Sequence, residues 1–272
     1  MDALLLLKAL ILGIVEGLTE FLPISSTGHL ILVGDLLDFN DERGKLFTIV
    51  IQSGAILAVV WEYRERVLAV ARGFGRDRAA NRFVLNLFIA FLPLAILGLL
   101  FKDAIEAHLF KPLPVAAAFI VGALLILWAE RRDHVVRVNT VDEMSALDAL
   151  KLGFAQALAL IPGTSRSGAT IFAAMLLGTS NRAAATEFAF LVGIPTMYAA
   201  SAYSLLKEFK DGAGTEDWTG MGIAFVVSMV TAFVAVKWLL GYIRTHRFTA
   251  FAVYRIVFGA ILLGLGWAGI VQ

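Results

Sequence analysis

The stretch that decides the fold is residues 13–31, GIVEGLTEFLPISSTGHLI. It places two carboxylates, Glu16 and Glu20, and one imidazole, His29, inside an otherwise apolar run. A helix would set the two glutamates on one face, where like charges repel, and ionised groups in hydrocarbon are costly unless they are paired. Pro23 and the small polar residues after it are suited to end one helix and cap the next. This stretch therefore predicts a broken helix that forms a site for a cation and a phosphate.

Composition indicates an integral membrane protein. Of the 272 residues, 59% are hydrophobic and 17% are charged, whereas average soluble domains have about half and about a quarter. The mean hydropathy is +0.81, and apolar runs of about 18 or more residues, enough to cross a bilayer core, recur along the chain. We predict six spans, at 46–63, 83–101, 112–130, 184–206, 219–240 and 248–270. The predicted fold class is an all-α polytopic membrane protein in contact with membrane lipids.

The opening residues are interpreted as a re-entrant helical hairpin. Residues 3–22 and 25–38 are apolar pieces on either side of Pro23, and each is too short or too polar to be a clear span. A plain transmembrane span is the alternative. When the sequence is slid by 140 positions, residues 149–177 lie over this stretch, with Ser25 over Ser165. We therefore predict two repeats, each a re-entrant hairpin plus three transmembrane helices, at about 1–135 and about 145–272.

Loop charge predicts the orientation of these repeats. The regions 64–82, 131–151, 182 and 244–247 hold thirteen Lys and Arg, against six in the other connections. The richer set belongs in the cytoplasm by the positive-inside rule. Three spans per repeat then give the two repeats inverted topologies, with sites expected at their interface. The first hairpin would enter from outside and the second from the cytoplasm.

A second polar motif, PGTSRSG at residues 162–168, opens the second hairpin. Its glycines allow backbone N–H groups to approach an anion, and a helix N-terminus favours negative charge. Arg166 supplies a planar fork suited to phosphate oxygens. A simple turn and helix cap is the structural alternative. Its location at membrane depth, opposite the carboxylates, favours a functional role.

These two motifs together resemble the bacterial undecaprenyl-diphosphate phosphatase family of the bacitracin-resistance type. The resemblance covers essentially the whole chain, and no departure from the family is seen at residues 16, 20, 25–29 and 162–168. It implies an inner-membrane enzyme, dependent on a divalent cation, that converts undecaprenyl diphosphate to undecaprenyl phosphate and inorganic phosphate. The resemblance implies further that this reaction recycles the lipid carrier for cell-wall synthesis and confers bacitracin resistance. With the orientation above, the active site is expected to face the periplasm.

The residues themselves suit that chemistry. Glu16 and Glu20 are predicted to hold Mg²⁺ or Ca²⁺, and Arg166 to neutralise charge on the transferred phosphoryl group. Ser26 is favoured as nucleophile with His29 as its base, while His29 as direct nucleophile, or as base for a water molecule, stays open. Four further residues are expected to contact substrate: Thr27, Ser165, Gly168 and Arg255.

Several polar residues have competing interpretations. Arg255 lies early in the last predicted span and either binds phosphate or extends towards the membrane interface. Gln52, in the first predicted span, is interpreted as a helix-packing residue. Small-residue faces at 116–118 and 183–185 would allow a homodimer. We expect no nucleic-acid partner.

A transporter or flippase is the alternative class of function. Inverted repeats, re-entrant hairpins and charged sites near the bilayer midplane are features of secondary transporters too. The clustering of a nucleophile, a base, cation ligands and an arginine favours the enzyme, because transport alone does not require that set.

Overall fold

The computed structural model describes residues 3–39, 42–133, 135–178, 181–210 and 218–271. Within these ranges all regular elements are helical, as the sequence predicts. Two short 3₁₀ turns, Val141–Glu143 and Leu158–Leu160, accompany eleven α-helices. The helices are α1 (Ala3–Thr19), α2 (Ser26–Leu36), α3 (Glu42–Glu62), α4 (Arg64–Gly73), α5 (Arg78–Leu109), α6 (Pro112–Arg131), α7 (Ala146–Ala157), α8 (Arg166–Leu176), α9 (Arg182–Lys210), α10 (Trp218–Tyr242) and α11 (Thr249–Trp267).

Five of these helices are long and apolar enough to cross a membrane: α5, α6, α9, α10 and α11. Residues 46–62 of α3 meet the same test only together with α4, from which they are separated by a bend of 77°. By length and composition, the part of the chain that the structure describes therefore contains five candidate spans, or six if the bent pair is one span. This confirms the prediction of a multi-pass helical membrane protein.

The two predicted hairpins are both pairs of shorter helices separated by a break. Ser25 precedes α2 with φ of 69°, and Ser165 precedes α8 with φ of 72°. Positive φ is uncommon for residues other than glycine. The same two helices are followed by Asp38 with φ of 50° and Gly178 with φ of 61°. Two breaks that are 140 positions apart in the sequence thus share an unusual backbone conformation.

Each hairpin packs its first helix against a helix of the other half of the chain. Helix α1 lies along α10, and α7 lies along α5. A Cβ added at Gly13 would lie 2.8 Å from the carbonyl oxygen of Ala224, and one at Gly153 would lie 2.6 Å from that of Ala90. The absence of a side chain at these glycines is what allows the backbones to approach so closely.

The basic loops meet at one end of the helical bundle. Arg66 donates two hydrogen bonds to the Asp142 carboxylate, of 2.9 and 2.5 Å, and Arg82 donates to the Asp142 carbonyl oxygen. Arg182 donates to Glu130 at 2.6 Å, and the same carboxylate accepts from the Phe248 backbone N–H at 3.0 Å. Regions that are far apart in the sequence and rich in Arg are thereby brought to the same side.

Candidate functional site

The two helix breaks contact each other in the interior of the bundle. The Ser167 hydroxyl, at the start of α8, donates to the carbonyl oxygen of Leu22 at 3.2 Å. Arg255, from α11, donates from one nitrogen, Nη1, to the carbonyl oxygens of Pro23 and Thr164, each at 3.1 Å. The acidic and the basic motifs therefore form one site, as their chemistry predicts.

A cavity of about 200 Å³ lies between the breaks. Both motifs contribute to its wall, and apolar residues of α5, α9 and the turn after α7 complete it. The lining residues are Glu20, Ser25, Ser26, Thr27, Gln52, Leu94, Ala159, Leu160, Gly163, Ser165, Arg166, Thr196, Met197 and Ala200. A wall that combines charged, hydroxyl and apolar residues suits a ligand with a charged head and a hydrocarbon tail.

Glu20 is the centre of the polar side. Its Oε2 accepts a short hydrogen bond from the Ser26 hydroxyl, and its Oε1 lies 3.4 Å from Nη2 of Arg166. The Glu20 and Arg166 side chains are 7% and 10% exposed, so the pair is largely removed from water. Removing one member of such a pair leaves an uncompensated buried charge. The arrangement places a hydroxyl, an acceptor for its proton and a cation within one small volume.

Arg166 lines the cavity at the N-terminus of α8. Its Nη1 donates to the carbonyl oxygen of Ala189 at 3.0 Å, and its Nε has no hydrogen-bond partner among the described residues. The side chain begins at the first residue of α8, where helix N–H groups and the dipole favour negative charge. A phosphate at this end of the cavity would therefore meet both the guanidinium and the helix terminus.

Glu16 is fully buried, and in the described part of the chain neither of its carboxylate oxygens has a hydrogen-bond partner. A buried, unpaired, ionised carboxylate is energetically costly, so Glu16 is expected either to be protonated or to bind a cation. No group of three or more His, Cys, Asp or Glu side chains that would enclose a metal is present among the described residues. Mg²⁺ commonly takes one or two carboxylates and completes its shell with phosphate oxygens and water. Glu16 and Glu20 would suit a cation of that kind, but only Glu20 lines the cavity, and cation binding stays a prediction.

The remaining hydroxyls of the two motifs are divided between the cavity and the helix caps. Ser165 lines the cavity, and its hydroxyl accepts from the Gly168 backbone N–H at 3.2 Å, which caps α8. Gly168 lies tightly against that cap, since a Cβ there would be 3.2 Å from the Ser165 hydroxyl oxygen. Thr27 lines the cavity. Direct contact of these three residues with substrate stays a prediction.

His29 faces away from Ser26. Its Nδ1 lies 2.7 Å from the Ser25 carbonyl oxygen, and its Nε2 lies 2.6 Å from the Tyr254 hydroxyl. Because a carbonyl only accepts, Nδ1 carries the proton and Nε2 accepts from Tyr254. The ring stacks on Phe258 with centroids 4.1 Å apart. The structure therefore does not bring the imidazole to the Ser26 hydroxyl, and it pairs that hydroxyl with Glu20 instead.

Arg255 binds backbone rather than solvent. Its five N–H groups are matched by five carbonyl oxygens at 2.8–3.2 Å, two from α6 and three from the breaks: Ala118, Phe119, Pro23, Gly163 and Thr164. The residue is only 1% exposed. It lies behind the cavity wall, so neither a phosphate contact nor an extension towards the membrane interface is observed.

Two of the polar residues that line the cavity lie outside both motifs and were not among the predicted site residues. Gln52 of α3 and Thr196 of α9 line the cavity, and the Thr196 hydroxyl is 3.3 Å from the amide nitrogen of Gln156. The available signal was a polar side chain inside an apolar span, which we interpreted as packing for Gln52. Helical periodicity alone does not show which of two buried faces borders a cavity.

Comparison with known proteins gives a consistent result over the full chain. The family model described as bacitracin resistance protein BacA matches residues 9–261. A protein of Dechloromonas aromatica named undecaprenyl-diphosphatase is 66% identical over 272 residues, covering 100% of this chain and 98% of the relative. One of the same name from Nitrosospira multiformis is 61% identical, covering 100% and 99%. The undecaprenyl-diphosphatase 2 of Rhodospirillum rubrum is 59% identical, again over 100% of this chain.

Proposed function

This chain belongs to the bacitracin resistance protein BacA family, and we propose that it hydrolyses undecaprenyl diphosphate in the cavity between its two helix breaks. The chain is a membrane phosphatase that releases inorganic phosphate and leaves undecaprenyl phosphate. The observation that carries the placement of the active site is the hydrogen bond from Ser26 to Glu20, with Arg166 on the opposite side of the same carboxylate.

Ser26 is proposed as the nucleophile and Glu20 as its general base. As the Ser26 oxygen bonds to the terminal phosphorus, its proton passes to Glu20, and the bond from phosphorus to the bridging oxygen breaks. Undecaprenyl phosphate leaves with the bridging oxygen. A water molecule then attacks the phosphoserine and releases inorganic phosphate, which regenerates the Ser26 hydroxyl. Because Glu20 already accepts from the hydroxyl, this assignment needs no movement of His29.

Arg166 is proposed to hold the terminal phosphoryl group. Its guanidinium lines the cavity at the N-terminus of α8, and it is proposed to stabilise the charge that develops on the phosphoryl oxygens. Thr27 and Ser165, which line the same cavity, are positioned to donate hydrogen bonds to phosphate oxygens. The apolar wall at Leu94 and Met197 is proposed to accept the first isoprenoid units.

A divalent cation, Mg²⁺ or Ca²⁺, is proposed at Glu16 and Glu20. When bound it would neutralise diphosphate charge and relieve the repulsion between the two carboxylates. Glu16 supports this proposal because its two oxygens are buried without another partner in the described part of the chain.

His29 and Arg255 are proposed to act through the backbone of the breaks. His29 holds the carbonyl of Ser25, whose positive φ is unfavourable for a residue with a side chain, and Tyr254 holds His29. Arg255 joins carbonyls of both breaks and so fixes the distance between the acidic and basic motifs.

The site is proposed to open to the periplasm of a bacterial inner membrane, between two inverted repeats. The basic regions that contact each other through Asp142 and Glu130 support one shared cytoplasmic side. The matching φ values at Ser25 and Ser165 support two related re-entrant hairpins. A carrier that does not hydrolyse the lipid is not favoured, because the relatives are named as diphosphatases.

The test is phosphate release from undecaprenyl diphosphate by detergent-purified protein, with and without EDTA. We expect cation-dependent release by the wild type and loss of about 1,000-fold in Ser26→Ala, the size of a full acid–base or nucleophilic contribution. A conservative exchange at an exposed acid, Glu106→Gln, is the control. Activity of Ser26→Ala near the wild-type level would exclude serine as nucleophile, and no release by the wild type with any divalent cation would contradict the function.

A further inference from the structure

Helix α9 passes directly behind the Arg166 guanidinium. Nη1 of Arg166 donates to the carbonyl oxygen of Ala189 at 3.0 Å, while Nη2 lies 3.4 Å from Glu20. In a helix the residue four positions after residue 189, residue 193, lies on the same face, so its side chain would stand next to the carbonyl group of residue 189. That residue is Gly193. The guanidinium therefore lies where the side chain of residue 193 would otherwise be.

The distances show how completely Arg166 fills this space. A Cβ added at Gly193 would lie 2.4 Å from Nη1, 2.8 Å from Cζ and 2.9 Å from Nη2 of Arg166. Real Cβ atoms essentially never show contacts under 3.0 Å. All three atoms belong to the end of one flexible side chain, so a methyl group at residue 193 would displace the guanidinium and leave the helix backbone where it is.

Backbone conformation does not require glycine here. Gly193 lies inside α9 and is not among the residues with positive φ. A glycine in the middle of a helix is less favourable than alanine, because it loses more conformational freedom on folding. The benefit that offsets this loss is the room that it leaves for Arg166.

We propose that Gly193 is a positioning residue for the phosphatase reaction: its missing side chain forms a notch in α9 that holds the Arg166 guanidinium against Ala189 and beside Glu20. The expected effect of Gly193 on catalysis rests on the proposed phosphatase function. The fit of Arg166 into the notch does not, because melting temperatures can test it separately.

A second notch shows how a purely structural arginine would behave. A Cβ at Gly122 of α6 would lie 2.2 Å from Nη2 of Arg255. Arg255 is fully engaged with backbone carbonyls, so its displacement would release acceptors that hold the fold together. Arg166 has one backbone acceptor and one carboxylate, so its displacement would change the site and weaken one buried ion pair, but it would release fewer backbone acceptors.

The experiment compares Gly193→Ala with Gly222→Ala, a control in α10 at a helical glycine that has open space around its Cβ position. We expect Gly193→Ala to lower kcat/KM for undecaprenyl diphosphate about 100-fold, the effect of misplacing a catalytic group by about 1 Å. Its melting temperature should fall by no more than that of Arg166→Ala, because displacement of the guanidinium weakens the buried ion pair while alanine favours the helix. Gly222→Ala should show only the gain that alanine gives a helix, about 2 °C.

A double-mutant cycle with Arg166→Lys makes the test specific. Lysine does not fill the notch with a planar fork, so Gly193→Ala should change the residual activity of Arg166→Lys by less than about threefold. An equal loss in both backgrounds or wild-type activity of Gly193→Ala would overturn the proposal, as would a melting temperature of Gly193→Ala below that of Arg166→Ala. If the wild type and Gly222→Ala release no phosphate, the proposed function fails instead. The notch can then still be tested by melting temperatures. Gly193→Ala should be better tolerated in the Arg166→Ala background than in the wild-type background, because the guanidinium that it would displace is absent.

Discussion

The two helix breaks have the same backbone but opposite chemistry. Ser25 and Ser165 precede their helices with φ of 69° and 72°, and each helix pair packs its first member against a helix of the other half. At the next position the first break has Ser26 and the second has Arg166. Glu20, in the first break, corresponds to Leu160 in the second when the sequence is slid by 140 positions.

This difference indicates how one backbone arrangement serves two tasks. The first break supplies the hydroxyl and the carboxylates, and the second supplies the cation and the helix terminus that face them. Neither break holds both a nucleophile with its base and a group that stabilises the phosphoryl charge. The reaction therefore depends on the contact between the breaks. Four predictions test this division, from the largest expected effect to the smallest.

The largest effect is expected from removing charge on either side of the buried pair. Glu20→Gln should lose the base for Ser26, and Arg166→Gln should lose the stabilisation of phosphoryl charge, each lowering kcat by about 1,000-fold. Phosphate release under saturating substrate measures this. Leu160→Glu, which places an acid at the position of the second break that corresponds to Glu20, should not restore activity to Glu20→Gln. If it does, the breaks are interchangeable and the comparison is wrong.

A smaller effect is expected at His29 if it supports the backbone of the first break. The Nδ2 of an asparagine reaches about where Nδ1 of a histidine lies, so His29→Asn should keep the bond to Ser25 and stay within about tenfold of wild-type activity. His29→Ala should lose about 100-fold because that bond is lost. Equal inactivation of both variants would instead support His29 as nucleophile or base.

The close packing of the first helices should be similar in the two halves. Alanine at Gly13 or at Gly153 would press against a backbone carbonyl of the neighbouring helix, which has no flexible end to move aside. Each variant should lose about 2 kcal/mol of stability, typical of overpacking. Melting temperatures in detergent measure this, with Gly241→Ala as the control in open space. A loss in only one half would show that the two packings are not equivalent.

The smallest effect concerns the entry to the second hairpin. Ser145 caps α7, and its hydroxyl accepts from the Asp148 backbone N–H at 3.2 Å while Asp148 accepts from Ser145 in return. Ser145→Ala should lower stability by about 1 kcal/mol, whereas Ser145→Thr keeps the acceptor and should change it little. Thermal unfolding in detergent compares them. Phosphate release at low temperature should be unchanged, because the whole of α7 separates the Ser145 cap from the second break.

Much of the fold could be predicted from hydrophobic runs. The six predicted spans correspond to α3, α5, α6, α9, α10 and α11, with boundaries that differ by several residues. The break at Pro23 and the glycine-rich break at 162–168 were also predictable, because proline and small polar residues end helices. The sequence did not show that residues 46–62 continue into α4 across a sharp bend.

The site was predicted less completely, because local sequence does not show which residues from distant parts of the chain will contact each other. Chemistry alone brought Glu20, Ser26 and Arg166 to one site, because ions in hydrocarbon need partners. The tertiary structure decided which residue accepts the hydrogen bond from the Ser26 hydroxyl. His29, three positions later, is directed towards Tyr254, and Glu20 accepts that hydrogen bond. Arg255 was expected at the phosphate and instead binds carbonyls of both breaks.

The sequence by itself determined the class of the molecule, the two breaks and the chemical groups at each, because hydropathy, proline and charge act locally along the chain. The tertiary structure alone decided how those groups pair. It set the guanidinium of Arg166 in the space left by Gly193 and the imidazole of His29 away from Ser26. The physical reason is that packing excludes side chains from occupied space and that a buried donor must find an acceptor wherever the fold provides one.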